Sequence, residues 1–292
     1  MALWDIFYNL PKKTPSRVNA VLRPLEPMYE RLIEYSYRVR PQRQSETAWG
    51  PSILVDYENV NERLIVRGDF EPAVAQFFVD DICQNHESLA DVGANVGFYS
   101  LLFGFHNQGD HRIDAFEPVP EIANRLRANR DINDLSIDVC TFALSGSSGI
   151  SRIHASDENL GETSLSPNLY AAESTHTYTV ATQTLDDLYV NGGRPAPDAI
   201  KIDVEGAEFD VIEGGERLLR ETEPAVLVEI HPSMIENYAD RLAATVRLLQ
   251  SANYTSAYHI ETDEPMGLQT LKERTGDRSF HVHLSPSRSH AQ

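Results

Sequence analysis

Cysteine is scarce: only Cys83, in a predicted helix, and Cys140, in a predicted strand, occur in 292 residues. That leaves neither a disulfide framework nor a cysteine-based metal cluster, and it suits a reducing compartment. No apolar run reaches the roughly eighteen residues a membrane span needs. Met1 to Leu10 is interrupted by Asp5 and Asn9, so a signal-peptide core does not fit either, and a cytoplasmic protein is expected. Basic residues are few, 25 Lys and Arg against 44 Asp and Glu, for a net charge of -19. Such a field repels a phosphate backbone, and no basic patch follows the first 45 residues, so nucleic acid is not an expected partner. A carboxylate-rich surface of this kind also stays hydrated in a salt-loaded cytoplasm. Internal repeats and low-complexity segments are absent.

What is present is a globular composition, 41% hydrophobic, enough to bury a sizeable core. Residues 1–48 carry helix-like apolar spacing broken by Pro11, Pro15, Pro24, Pro27 and Pro41, which predicts an N-terminal helical extension. Within it Leu3, Trp4, Ile6, Phe7 and Leu10, followed by Lys12, Lys13 and Arg17, form a candidate peripheral membrane contact over residues 1–17. The competing reading is a helix packed on the main domain. Ser52 to Val66 reads as a hairpin and Glu71 to Ile82 as an amphipathic helix.

From Ser88 onward short apolar runs alternate with helical patterns, which predicts an α/β domain over 49–292 with a largely parallel sheet. Predicted strands are Leu89–Val92, Ile113–Phe116, Ile137–Leu144, Ala199–Asp203, Ala225–Ile230, Thr255–His259 and Phe280–Leu284. Predicted helices are Gly97–Phe105, Pro120–Asn133, Ala207–Arg220 and Ile235–Ser251. Residues 149–188 form a polar insertion with two strand-like pieces, Ser151–His154 and Tyr178–Thr182, a candidate substrate lid.

Four strand ends carry chemistry. At Asp91-Val92-Gly93-Ala94-Asn95-Val96-Gly97-Phe98 a strand enters a glycine turn and then a helix, so the backbone can approach a ligand closely. The glycine spacing is not the G-x-G-x-x-G dinucleotide fingerprint. In Ala115-Phe116-Glu117-Pro118 a carboxylate sits where it can accept both hydroxyls of a ribose; taken alone, Glu117 could equally serve the next helix start. In Lys201-Ile202-Asp203-Val204-Glu205-Gly206-Ala207-Glu208 the acids lie at another strand's carboxyl end, where open α/β sheets bind ligands, although one of them could simply cap a helix. Val228-Glu229-Ile230-His231 brings an imidazole to the same edge, placed either to take a proton or to hold the strand end.

In order and spacing, these motifs resemble the FkbM-like family of S-adenosylmethionine-dependent methyltransferases, over about Phe70 to His259. The resemblance implies a class I (Rossmann-like) seven-stranded mixed sheet, its last strand antiparallel, with helices on both faces. It implies S-adenosyl-L-methionine as cofactor and O-methylation of a hydroxyl on a sugar, glycan, glycolipid or natural product. By the same resemblance, the turn from Asp91 to Gly97, with Gly93 and Asn95, holds the methionine part and Glu117 the ribose, Ala143 and Leu144, up to Ser145, flank the adenine, and Phe98 and Pro118 are further candidate cofactor contacts.

Alignment of acceptor and methyl group is the main task in such a displacement. The candidate catalytic residues are His231 and Asp203, either of which would accept the acceptor's proton, with Glu205 or Glu229 orienting the base; Asp203 is also a candidate cofactor contact. No metal is assigned, the alternative being a divalent cation on Asp203, Glu205 and His231. Two other functions share the sheet. A nicotinamide-dependent oxidoreductase would need the missing third glycine, and a non-catalytic binding protein would not need Gly93, Glu117 and Asp203 intact.

Overall fold

The computed structural model describes residues 42–57, 59–107, 109–156, 163–164, 175–274, 276 and 278–287. The candidate membrane contact at 1–17 and the rest of the predicted helical extension as far as residue 41 lie outside them. Among the described residues no helix is long and apolar enough to cross a membrane.

The chain enters through strand β1 (Gln42–Glu46), antiparallel to β2 (Ser52–Asp56). Two expectations are corrected here: residues 42–46 are not helical, and Ser52 to Val66 is not a hairpin, because its second apolar run is helix α1 (Val60–Arg67). Asn59 explains the difference, since its side chain accepts a hydrogen bond from the Glu62 amide and caps the helix, and Gly68 closes it in the left-handed conformation. A short apolar run does not distinguish strand from helix, whereas the cap does. Helix α2 (Pro72–Phe77) continues through a π-helical stretch, Phe78–Ile82, into α3 (Cys83–Asn85).

The main sheet starts with β3 (Ser88–Val92), α4 (Phe98–His106), β4 (Arg112–Phe116), α5 (Pro120–Ile132) and β5 (Ile137–Cys140). The predicted strand Ile137–Leu144 divides at this point. Cys140 ends the ladder by accepting from the Glu117 amide, and β6 (Ala143–Leu144) joins a separate four-stranded sheet. That sheet is completed by β7 (Gly149–Ser156), β8 (Thr163–Ser164) and β9 (Thr175–Gln183), so the described strands of the predicted insertion form a β-structure anchored on β6. After β10 (Ala199–Ile202), the single predicted helix over Ala207–Arg220 is two, α6 (Glu208–Glu213) and α7 (Glu216–Thr222). Gly214 separates them with its backbone packed against the Ser145 carbonyl, which a Cβ would meet at 2.3 Å. The chain finishes with β11 (Ala225–Ile230), α8 (Tyr238–Ser251), β12 (Tyr254–His259), β13 (Glu264–Gly267), α9 (Leu268–Lys272) and β14 (Phe280–Pro286).

The main sheet has eight strands in the order β13-β12-β14-β11-β10-β3-β4-β5. Seven are the expected ones, with β14 antiparallel to β11 and β12; the eighth, β13, is a hairpin partner that extends the β12 edge. Alternate residues of each central strand face opposite layers. Leu89 and Leu227 join a core with helices α1, α2, α4 and α5, whereas Ala90, Val226 and Val228 join one with α6 to α9. Both faces being covered, β3 and β10 are buried throughout and are apolar apart from Ser88, Asp91 and Lys201. Each fully buried Leu, Ile or Phe contributes roughly 1.5–3 kcal/mol, and helix α4 alone sinks Leu101, Leu102 and Phe103 completely.

Candidate functional site

Strand order reverses at β3, which has β4 on one side and β10 on the other. Crevices form at such a point, beyond the carboxyl ends of the strands. Here the ends of β3, β4, β10 and β11 open on a cleft of about 440 Å³.

At one end is the glycine turn. Gly93, at φ 80°, lies so close to the next strand that a Cβ would come within 1.8 Å of the Asp203 carbonyl oxygen. The Gly93 and Ala94 amides both donate to the Phe116 carbonyl, and the Asp203 amide donates to the Val92 carbonyl, so three strand ends are tied into one wall. Glu117 closes it. Its carboxylate accepts from the Asn95 amide at 3.0 Å and the Val119 amide at 2.9 Å, and it is buried. Burial pushes this carboxyl up to about 7, against the lowering effect of the two amides. Pro118, Ala143, Leu144 and Ile153 add a largely apolar side to the same cleft.

At the other end ionisable side chains converge. Lys201, almost fully buried, places its ammonium 3.1 Å from Asp203 and 4.6 Å above the Tyr99 ring centroid. Burial raises the Asp203 carboxyl pKa, opposed by the Lys201 charge. Glu205 adopts a left-handed backbone at φ 52°. Burial and the neighbouring Asp203 charge raise its carboxyl to about 8. His231 is held through Nδ1 by Glu208 at 2.7 Å, and Glu208 also accepts from the Gly206 amide. Its Nε2 lies 3.3 Å from Glu229 and 3.5 Å from Glu205. Burial alone would lower the imidazole, but its carboxylate partners outweigh burial and push it up to about 11, so it is charged at neutral pH.

Of the sequence-predicted residues, Gly93, Asn95, Glu117, Pro118, Ala143, Leu144, Asp203, Glu205 and His231 all line this cleft. Asp91, Gly97 and Phe98 are placed differently. Asp91 is buried behind the turn and accepts from the Ser100 hydroxyl at 2.6 Å, tying β3 to α4. Gly97, at φ 94°, lets α4 approach Leu126. Phe98 packs edge-on against Phe70 and borders a smaller adjoining cavity of about 60 Å³. Sequence reasoning did not single out Asn61, Phe70, Glu71, Ile153 or Ser279 as cleft residues. They come from the N-terminal elements, the insertion and the approach to β14, where no local motif marks them.

The Methyltransferase FkbM domain profile matches residues 91–256, more than half of the chain. Hexuronic acid methyltransferase AglP of Haloferax volcanii is 29% identical over 171 residues, 56% of this chain and 64% of that protein, so the match spans less than two thirds of the relative's length. Among solved structures, methyltransferase FkbM from Methylobacillus flagellatus KT aligns with 94% of this chain and 63% of its own at 14% identity and a TM-score of 0.48. Precorrin-6y C5,15-methyltransferase from Geobacter metallireducens GS-15 aligns with 73% of this chain and 88% of its own at 15% identity and a TM-score of 0.40. On the extent of the profile match, this chain belongs to the FkbM family of S-adenosylmethionine-dependent methyltransferases.

Proposed function

We propose that the protein methylates a hydroxyl group of a sugar or glycan, with the glycine turn and Glu117 holding the cofactor and the Asp203–Glu205–His231 group meeting the acceptor. The observation that carries this reading is the presence of both groups in one cleft. The residues fit S-adenosylmethionine. Gly93 leaves backbone exposed where a side chain could not stand, and the Glu117 carboxylate, with one amide on each oxygen, keeps lone pairs for two ribose hydroxyls. Pro118, Ala143, Leu144 and Ile153 offer an apolar surface to a planar base. The cleft volume also lies in the usual range for small-molecule sites.

When bound, the cofactor supplies an electrophilic methyl group on a sulfonium. Transfer to a hydroxyl would exchange the C–S bond for a C–O bond and leave a neutral thioether, so the residues at the acceptor end must take up the hydroxyl proton. In this reading Glu205 takes that proton. A carboxyl near 8 is well matched to a base working around neutrality, whereas His231, already charged, orients Glu205 and Glu229 rather than accepting. Asp203, fixed by Lys201, faces both halves of the cleft and positions the donor. Carboxylates accept hydrogen bonds from hydroxyls in several directions, which favours a polyol acceptor. The named activity of the curated relative, on a hexuronic acid, supports a sugar. Ile153, on β7 of the insertion, lines the cleft wall and in this reading covers part of the bound substrates.

The test is transfer of a labelled methyl group from S-adenosylmethionine to a panel of neutral and uronic sugars, free and glycan-linked, followed by mild alkaline hydrolysis. Label retained as an alkali-stable ether is the expected result. Release of the label as methanol would show a carboxyl ester and overturn the hydroxyl assignment.

A further inference from the structure

Beside the proposed proton-accepting group lies a second convergence of donor atoms. Glu71 stands at the start of α2 with a left-handed backbone at φ 41°. Glu229 and His281 face each other directly across the antiparallel β11–β14 pair. One donor atom from each of the three lies within 4.8 Å of the other two. His281 is buried, and its Nε2 makes no hydrogen bond; it points between Glu229 Oε2 at 3.3 Å and Glu71 Oε2 at 3.5 Å.

These separations are long for charge-assisted hydrogen bonds, which run about 2.7–2.9 Å. They match neighbouring ligands on one ion instead, because metal bonds of about 2.1–2.3 Å put adjacent donors roughly 3.0–3.3 Å apart in octahedral geometry and roughly 3.4–3.8 Å apart in tetrahedral geometry. The surroundings are those of a ligating histidine. Its other nitrogen, Nδ1, is held by Glu261 at 2.8 Å, which fixes the ring and directs Nε2 inward. Glu71 is steadied in turn by the Tyr99 hydroxyl at 2.5 Å. We infer that Glu71, Glu229 and His281 form a divalent-cation site, suited by its mixed imidazole and carboxylate donors to Mn2+ or Zn2+.

Glu71 and Glu229 both line the cleft, so the ion's remaining coordination positions face the acceptor end. There the cation would hold an acceptor oxygen and offset part of the local carboxylate charge, a role that rests on the methyl-transfer reading. The ion would also tie the start of α2 to two sheet strands.

The test uses full-length protein stripped with a chelator, then titrated with MnCl2 alone by calorimetry, with electron paramagnetic resonance of the bound ion. The expected result is one tight ion per chain with imidazole nitrogen coupling. Binding should weaken at least ten-fold in Glu71→Gln and in His281→Asn, and it should change less in His231→Asn, whose imidazole contacts Glu229 without being a ligand. Glu71→Gln keeps its volume at the cleft wall and serves as the decisive variant if His281→Asn does not fold. Three results would overturn the site: uptake no tighter than diffuse binding to an acidic surface, unchanged binding in Glu71→Gln, or loss only in His231→Asn. With neither cofactor nor acceptor in the cell, failure here leaves the methyl-transfer reading untouched, and failure of that reading leaves this result standing.

Discussion

At the Gly93–Glu117 end of the cleft the contacts are backbone amides and one buried carboxylate, all fixed by strand register; at the Glu205–His231 end they are clustered titratable side chains supplied by several elements. The first arrangement depends on shape and tolerates few changes of backbone. The second depends on charge, so one atom's replacement should alter chemistry while leaving the fold alone. Substitutions on the two sides should therefore separate binding from turnover.

The largest separation is expected for Glu205→Gln. Loss of the proton acceptor should lower kcat by about 10²–10⁴-fold with cofactor affinity unchanged, as read by steady-state kinetics beside calorimetry. Equal loss in both would erase the distinction between the ends. Gly93→Ala attacks the opposite end. A Cβ at a left-handed residue, 1.8 Å from the Asp203 carbonyl, forces the strand ends apart. Thermal unfolding should report a cost of about 2–5 kcal/mol, with cofactor binding lost.

Much of the cofactor end was legible in the sequence because it is local. The strand–turn–helix at Asp91 to Phe98 and the strand-end Glu117 are contiguous motifs, and the register that joins them, Val92 opposite Phe116 and Ile202, follows from the parallel sheet. The acceptor end was only half legible. Asp203, Glu205, Glu229 and His231 sit at strand ends and could be named, but Glu71 and His281 reach them through tertiary packing alone. The misread stretches have local causes as well. The cap at Asn59 turned a supposed strand into α1, and the glycine pair at 214–215 split a helix whose apolar pattern ran on unbroken. Asp91 shows the limit of a motif: its type and position suit a ligand contact, yet its side chain is turned to Ser100.

A subtler effect should follow pH. Glu117 in the folded protein titrates near 7, above its ordinary 4.5, so its stability contribution is fully present below about 4.5 and lost as pH rises through about 7. The unliganded protein should lose up to about 3 kcal/mol across that window from this group. Cofactor affinity should move the other way, tightening as the carboxylate ionises and can accept both hydroxyls. Denaturant unfolding and calorimetry from pH 5 to pH 8.5 would read both trends, at about those limits, and Glu117→Gln should flatten each. The smallest effect is expected for Asp91→Asn, which weakens the tie to Ser100. Unfolding should show a cost of about 1–2 kcal/mol with cofactor affinity within about three-fold of wild type; a large affinity loss instead would return Asp91 to the cleft.

The most direct test of the cofactor assignment is a calorimetric titration of S-adenosylmethionine into the purified protein, with Gly93→Ala and Glu117→Gln alongside. One-to-one binding, abolished by the first substitution and weakened by the second, is the predicted result. No binding to the wild type, or equal binding to all three proteins, would contradict the placement of the cofactor at this strand reversal.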